Sequence, residues 1–486
     1  MKTKFSTQIQ TFIKEFAKNL HDDNVAIFAG AGMSKSRGFV DWKQLLRDIA
    51  EELDLEIDKE NDLVSLAQFH VNHKQSKQKL HETILNEFSE DIEGGENHKI
   101  LARLPISTYW TTNYDSLIEN SLKEQRKKIA IKKQVSDLNQ NVFGSHATVF
   151  KMHGDAQDPA NAILTKEQYE IYHSTHSPFI TALKGDLVQK TFLFIGFSFE
   201  DPNLDYILSR VRFEQKENLR THYCTMKRIS MNDFGNTPED EANYKYKKRK
   251  QELQIQELKR YHIEALLVDD YDDITEILRQ IETSFKTTSV FISGSAEIYG
   301  SIDKNTAQGF IHKLSKHIIE EKFRIVNGFG WGVGSAIING ALDAIYDKTG
   351  KHSESQLVLR PFPQFETGDK TKEELWHEYR QKMISQTGIA IFIFGNKLKE
   401  ETSEIEPADG VKKEFEIAKS QGCHLIPIGI TGYMAHELWK EVVDNFETFY
   451  PKHQHLKVEF EKLGDSGLAL NDILAHLFKI LKSLKK

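Results

Sequence analysis

Three short segments carry the residue types from which a reaction centre could be built. They are Gly30-Ala31-Gly32-Met33-Ser34, Thr112-Asn113-Tyr114-Asp115 and His153-Gly154-Asp155. Each follows an apolar run of strand character, at residues 25–28, 107–111 and 148–152. A strand ending in closely spaced glycines lets the backbone approach a pyrophosphate with no Cβ in the way. The amide of Asn113 can hold a ribose hydroxyl or a water through its donor and its acceptor. An imidazole, here His153, can accept a proton near neutral pH. A carboxylate, here Asp115, can accept hydrogen bonds from a carboxamide NH₂. Together these abilities suit cleavage of the N-glycosidic bond to nicotinamide. That bond breaks with oxocarbenium character, so the protein mainly positions the ribose and stabilises developing positive charge. Each residue also has a plainer reading: Asn113 as a helix N-cap, Asp115 as a first-turn acid, His153 as a satisfied structural histidine.

Three polar strand ends in order require a parallel sheet whose carboxyl edge collects them. The first half of the chain supplies the strands, at 25–28, 107–111, 148–152, 191–195, 222–226 and 263–268, with helical stretches between. The pattern predicts an α/β fold, a mostly parallel sheet with helices on both faces. A charged run from Glu239 to Tyr261 reads as a solvated helix face. After Ser284 the pattern restarts. A strand at 289–292 ends in Ser293-Gly294-Ser295-Ala296, and one at 324–326 ends in Asn327-Gly328-Phe329-Gly330-Trp331-Gly332-Val333-Gly334-Ser335. Further strands are expected at 389–394 and 424–430, with helices marked by Phe310, Ile311, Leu314 and Ile318 and by residues 411–418. Two domains are expected, 1–284 and 285–486. Successive backbone N–H groups at the second glycine-rich turn make an anion cradle, to which Arg380 and Lys397 could add charge-assisted contacts. Arg360 and Glu414 read equally as surface residues.

Bulk properties narrow the class. The chain has 486 residues, with apolar and charged fractions (39% and 28%) in the ordinary globular range. A formal net charge of −8 argues against nucleic acid as the main partner. No apolar run approaches the roughly 18–20 residues needed to cross a bilayer. Near the N-terminus Ile9, Phe12, Ile13, Phe16 and Leu20 recur at helical spacing where a secretion signal would be uniformly apolar. The only cysteines, Cys224 and Cys423, read as buried thiols in a reducing cytoplasm, and a four-cysteine zinc module cannot be assembled. No metal site is expected.

The N-terminal segments resemble, in order and rough spacing, the NAD-binding motifs of the sirtuin family. The resemblance spans roughly residues 1–284 and implies roles. Asn113 holds the water or ribose, His153 is the general base and Asp115 contacts the nicotinamide amide. Ala29, Gly30, Ala31, Gly32 and Ser34 line the dinucleotide. Gly196-Phe197-Ser198-Phe199 looks like the family's later Gly-x-Ser segment at the adenosine half, so Gly196 and Ser198 are placed there. Asp201 and Asn203 are polar ligands to the adenosine ribose, with a helix N-terminus (Asp201 as cap, Pro202 at N1) as the structural alternative. The chain departs from deacylating sirtuins in lacking the zinc module and the Pro-Asp-Phe-Arg-like stretch; residues 38–42 read Gly-Phe-Val-Asp-Trp. Its Gly196–Leu204 segment is instead similar to bacterial sirtuin-like domains of antiphage defence, which hydrolyse NAD⁺ outright.

The second half resembles the SLOG superfamily, a Rossmann-like group that binds nucleotides and their derivatives, so two Rossmann-like domains are expected. The resemblance places Gly294, Ser295, Gly328, Gly330, Gly332, Arg360, Arg380, Lys397 and Glu414 around a signal nucleotide. The Pro-Gly-Gly-x-Gly-Thr-x-x-Glu motif of related phosphoribohydrolases is absent, since residues 394–398 read Phe-Gly-Asn-Lys-Leu, which favours binding over hydrolysis. A sirtuin-like domain followed by a SLOG domain resembles the NAD-depleting effectors of the Thoeris antiphage system. That resemblance implies a cytoplasmic homo-oligomer, a tetramer or larger. A TIR-domain partner makes a cyclic ADP-ribose isomer, the SLOG domain binds it, and the sirtuin-like domain destroys NAD⁺ as substrate, with no cofactor and no zinc. A protein deacylase or ADP-ribosyltransferase and a non-catalytic nucleotide sensor are the alternative readings.

Overall fold

The computed structural model describes residues 4–485 except 36, 89–91, 200, 216–219, 348–349, 367–368 and 400–403. It divides into two compact units, Met1–Glu282 and Thr283–Lys486. The boundary falls inside a helix, Asp272–Lys286.

In the first unit seven strands form one parallel sheet. They are β1 (Val25–Ala29), β2 (Thr108–Thr111), β3 (Ile129–Lys132), β4 (Ala147–Lys151), β5 (Thr191–Ile195), β6 (His222–Lys227) and β7 (Ile263–Val268), in the order β3-β4-β2-β1-β5-β6-β7. β1 and β5 are buried at every position. Such uninterrupted apolar runs are what a parallel sheet covered on both faces demands. Alternate residues serve opposite faces. Ala26, Phe28, Trp110, Phe192 and Phe194 join one core under the helices Ser177–Gln189 and Pro202–Gln215. On that face Trp110 and Phe150, cross-strand neighbours, stack with centroids 4.1 Å apart. A helical segment between β1 and β2 has its own core, built on Leu46, Ile49, Leu66 and Ile84 and closed by Tyr114.

The expected strands of this half all form. β3 was not expected. Its residues alternate between burial and exposure over only four positions, with Lys132 as one of the buried pair, so the apolar signal is thin. The charged run forms the helix Pro238–Arg260, started by a capping box between Thr237 and Asp240, and it buries Leu258 while most of its charges face solvent.

In the second unit β8 (Ser289–Ser295), β9 (Arg324–Asn327), β10 (Leu357–Leu359), β11 (Ile389–Phe394) and β14 (His424–Pro427) make a parallel sheet in the order β10-β9-β8-β11-β14. A small antiparallel hairpin joins β12 (Asn396–Leu398) to β13 (Ile405–Pro407). β10 and the hairpin were not expected, since three residues carry no periodicity. The strand expected at 424–430 ends at Pro427, where the chain turns into the short 3₁₀ segment Gly429–Thr431. The closing helix Leu470–Leu484 buries Ile473, Leu477, Ile480, Leu481 and Leu484, an apolar stripe at helical spacing. Among the described residues no helix is long and apolar enough to cross a membrane. Both cysteines are unpaired, and burial pushes their thiols up, Cys224 to about 12 and Cys423 to about 11.

Candidate functional site

The register of the first sheet brings the three polar segments to one level. Ala29 pairs with Thr111 on one side and with Ile195 on the other, and Thr111 pairs with Lys151. Asn113 and His153 each lie two residues beyond this line, past the ends of the neighbouring strands β2 and β4. Neighbouring strands in a sheet are about 4.8 Å apart.

Asn113 is buried and held from several sides. Its backbone N–H donates to Thr111 Oγ1 at 2.9 Å, and Thr111 in turn donates to the Ala29 carbonyl at 2.9 Å. Its Nδ2 donates to the Gly30 carbonyl and to Ser34 Oγ, both at 3.1 Å. A carbonyl can only accept, so this fixes the amide with nitrogen toward Gly30 and leaves Oδ1 as the acceptor. Ser34 Oγ passes the chain on, donating to Asp115 Oδ2 at 2.7 Å, while Asp115 Oδ1 accepts from Leu117 N at 3.0 Å. Ser34 is only 2% exposed, so here it links Asn113 to Asp115. Asp115 has the hydrogen bond of a helix-start acid, and each of its oxygens retains a second acceptor direction.

His153 is likewise buried, and its carbonyl accepts from Ile163 N at 3.0 Å. Its Nε2 sits 3.2 Å from Asp201 Oδ2, out of line for a hydrogen bond and without another partner. Its Nδ1 is 3.4 Å from the Tyr169 hydroxyl. Burial works to raise the Asp201 carboxyl, but His153 beside it and the backbone N–H groups of Leu204 and Asn203 outweigh burial and hold it below the usual carboxylate range. Asp201 Oδ1 accepts from Leu204 N at 3.0 Å, so Asp201 caps the helix Pro202–Gln215 and faces His153 at once. Asn203 is buried with Nδ2 unpartnered, whereas Ser198 is exposed.

The first glycine turn has a packing reason as well as an open face. A Cβ on Gly30 would stand 2.4 Å from the Gly196 carbonyl, and one on Gly196 2.3 Å from Met33 N. Gly196 also has φ +63°. The N–H groups of Gly30 and Gly32 donate to the Ile195 and Gly196 carbonyls, both at 2.9 Å. These glycines weld the ends of β1 and β5 together. Ala29 is buried in β1, Ala31 is half-buried and Gly32 is exposed.

From the sequence Lys151 stands at the head of the third polar segment, Lys151-Met152-His153-Gly154-Asp155, with no role assigned to it. Its side chain is fully buried, and its Nζ approaches the carbonyls of Tyr114 (3.2 Å) and Asp115 (2.5 Å), Asp155 Oδ2 (2.7 Å) and Glu119 Oε1 (3.1 Å). The signal was present: a lysine between Phe150 and Met152 in an apolar strand run must find anionic partners inside.

In the second unit a cavity of about 370 Å³ opens at the ends of β8 and β9. Of the residues placed at a signal site, Gly294, Gly328, Gly330, Arg380 and Glu414 line it. Ser295, Gly332, Arg360 and Lys397 are not in that lining. Ser295 Oγ donates to the Asn396 carbonyl at 3.0 Å, the Arg360 N–H donates to the Asn327 carbonyl at 2.9 Å, and the Gly332 carbonyl accepts from Tyr299 OH at 2.7 Å. Lys397 is engaged by Glu406 (3.2 Å) and Asp409 (2.9 Å). A Cβ on Gly330 would meet the Gly294 carbonyl at 1.9 Å, so this glycine is required where the two turns touch. Glu414 holds Ser293 Oγ at 2.5 Å and Arg380 Nε at 3.3 Å, and burial pushes its carboxyl up despite both partners. The Arg380 guanidinium lies over Phe362 at 4.8 Å and near Trp376 at 5.7 Å. Phe329 and Trp331 also line the cavity yet are 51% and 73% exposed. These aromatic walls were not foreseen, although the alternation Gly-Phe-Gly-Trp-Gly displays two of them between residues that cannot shield them.

Comparison with known proteins agrees with this division. Residues 107–266 match the family model of the SIR2-like domain, and residues 273–484 match that of the Sir2- and TIR-associating SLOG family. Over its whole length the chain is similar to proteins named NAD(+) hydrolase ThsA. It is 46% identical to that of Cytobacillus dafuensis over 99% of this chain and 97% of the relative. It is 46% identical to that of Bacillus cereus (strain MSX-D12), covering 99% of each. It is 43% identical to that of Acinetobacter baumannii (strain 532279), over 98% of this chain and 99% of the relative. With both domains matched and the similarity running end to end, the chain belongs to the ThsA family of sirtuin-like and SLOG-domain proteins found among Thoeris effectors.

Proposed function

We propose that this protein is an NAD⁺ glycohydrolase of antiphage defence, gated by a nucleotide signal. The reaction consumes NAD⁺ and water and yields nicotinamide, ADP-ribose and a proton. The observation that carries the reading is the paired placement of Asn113 and His153, each two residues past the in-register ends of the neighbouring strands β2 and β4, in a chain similar throughout to NAD(+) hydrolases.

In this reading the dinucleotide lies across the ends of β1, β2, β4 and β5. The fixed Oδ1 of Asn113 accepts from the attacking water or from a hydroxyl of the nicotinamide ribose. As the glycosidic bond lengthens, the electron pair leaves with nicotinamide and positive charge grows on the ribose. His153 takes the proton of the attacking water or of a ribose hydroxyl, and the Asp201 carboxylate steadies the imidazolium that results. Asp115 has acceptor capacity left for the nicotinamide amide, and the unpartnered Nδ2 of Asn203 suits a ribose hydroxyl. Ala29, Gly30, Ala31, Gly32, Ser34, Gly196 and Ser198 complete the proposed substrate contacts.

The second cavity binds the signal, a cyclic ADP-ribose isomer made by a TIR-domain partner, and turnover then depletes NAD⁺ in the cytoplasm. Arg380 answers the phosphates and the exposed aromatics answer the base. Gating of this kind requires the signal to bind the active state more tightly, by about 5.5 kcal/mol to move a population from 1:99 to 99:1. A homo-oligomer that rearranges on binding supplies two such states. The test is release of nicotinamide and ADP-ribose, followed by chromatography, with and without cyclic ADP-ribose isomers. Asn113→Ala and His153→Ala are each expected to lower turnover by a factor of ~10²–10⁴ while the proteins stay folded. Full turnover in either variant overturns the assignment.

A further inference from the structure

The two loops that bear Asn113 and His153 are joined by one buried cation. Lys151 is the last residue of β4, two positions before His153, and its side chain is wholly excluded from solvent. Its Nζ donates to the carbonyls of Tyr114 and Asp115, the two residues directly after Asn113. It also pairs at 2.7 Å with Asp155, two positions after His153, and lies 3.1 Å from Glu119 in the helix Leu117–Glu124. A second tie runs the same way, since Ala156 N donates to the Tyr114 carbonyl at 3.0 Å.

A buried ammonium is expensive unless it is paired and fully hydrogen-bonded. Burial works to discharge Lys151, but Glu119 and Asp155 overcome it and hold the ammonium above the ordinary lysine range. Asp155 is held below the usual carboxylate range against its own burial, chiefly by Lys151. Burial lifts the Glu119 carboxyl, with Lys151 beside it working in the opposite sense. An apolar strand end of the same length would have filled this volume without that cost. What the cation adds is direction, because three protons are shared between two loops that approach from different strands.

Resting on the glycohydrolase reading above, we infer that Lys151 is a positioning residue that sets the separation and orientation of Asn113 and His153 by binding both of their loops. It touches neither water nor substrate. Its loss removes none of the proposed substrate contacts but lets the two working groups drift. A misplacement of about 1 Å costs roughly a hundredfold in rate.

The test compares the full-length wild type with Lys151→Met, and with Lys151→Met combined with Glu119→Gln and Asp155→Asn. The triple variant removes the stranded carboxylates, so it keeps the fold if the single one does not. Steady-state NAD⁺ hydrolysis is followed at varied NAD⁺, with and without cyclic ADP-ribose isomers, beside thermal melting. The expected result in whichever variant folds is a kcat about 100-fold lower, KM within about threefold and melting within a few degrees of wild type. A kcat within threefold of wild type overturns the inference. So does a rise in KM alone, or unfolding of both variants, which would make Lys151 a structural residue only. A wild type that hydrolyses no NAD⁺ under any condition instead sinks the glycohydrolase reading, and this role with it.

Discussion

Asn113 illustrates how an amide becomes a directed group. Its nitrogen is spent on Gly30 and Ser34, and the Ser34 hydroxyl is spent on Asp115, so the chain of donors runs one way and ends on a carboxylate. Asn113→Asp, almost the same shape, replaces the nitrogen by oxygen facing the Gly30 carbonyl, and is expected to lose activity and roughly 1–3 kcal/mol of stability for the buried acceptors left opposed. Asp201 tests the other half. Asp201→Asn keeps a cap for Leu204 N through Oδ1 but removes the charge 3.2 Å from His153 Nε2. The imidazolium then forms without its counter-charge, so kcat is expected to fall by about 10- to 100-fold with the melting temperature little changed. Steady-state kinetics beside calorimetry checks it, and an unaltered kcat would reduce Asp201 to a helix cap. These residue types were legible in the sequence because they fall, in order, where apolar strand runs end, although each also had a plainer structural reading. The strut beneath them was not, because which carbonyls and carboxylates Lys151 would meet depends on loops from two strands.

At the scale of elements, apolar strand runs ending in polar or glycine turns were readable wherever a strand was central and buried on both faces, as in β1, β5 and β11. The edge elements β3 and β10 and the hairpin of β12 and β13 escaped, since three or four residues with mixed burial leave no period to detect. The glycines were read as room for a phosphate; the structure adds that Gly30, Gly196 and Gly330 are needed where one turn's backbone touches another's. Gly330→Ala is therefore expected to destabilise the second unit by roughly 2–3 kcal/mol as well as to impair signal binding. Trp331→Ala separates the two effects. Its side chain is 73% exposed, so stability should hold within about 0.5 kcal/mol. Stacking of a base on an aromatic ring is worth roughly 1–3 kcal/mol, so affinity for a cyclic ADP-ribose isomer should fall about tenfold or more. Titration calorimetry reads both ligand affinity and, through the fitted stoichiometry, the folded fraction. Unchanged affinity would leave the exposed tryptophan without a role at the cavity.

The whole molecule joins two units that differ in their buried histidines. Burial lowers several histidines in both units, and three of them furthest: His98 and His222 in the first unit, to about 4 and about 3, and His424 in the second, to about 4. His222 has a visible reason to stay neutral, because its Nδ1 accepts from Phe192 N at 3.1 Å and protonation there would break that bond. A histidine whose folded value is depressed takes up its proton first in the unfolded chain. Stability is therefore level above pH ~6.5 and falls as the pH drops from there toward the folded values. At about 1.36 kcal/mol per unit of displacement, each of these groups removes on the order of 3 kcal/mol by pH 4. That is a large share of the 5–15 kcal/mol typical of a domain. Asp155 and Asp201, held low by their partners, act in a separate and more acidic window, below about pH 4, where their protonation removes the stabilisation those partners give. The first unit carries two of these three histidines and the second unit one, so the first should melt at lower temperature as the pH is brought from 7 to 5, and the scan should resolve into two transitions. Differential scanning calorimetry across that range reads the separation directly. His222→Asn keeps an acceptor for Phe192 N and removes the titration, so it should flatten the acid slope of the first transition and leave the second where it was. An acid slope unchanged by that substitution would mean that the buried imidazole is not what limits the first unit.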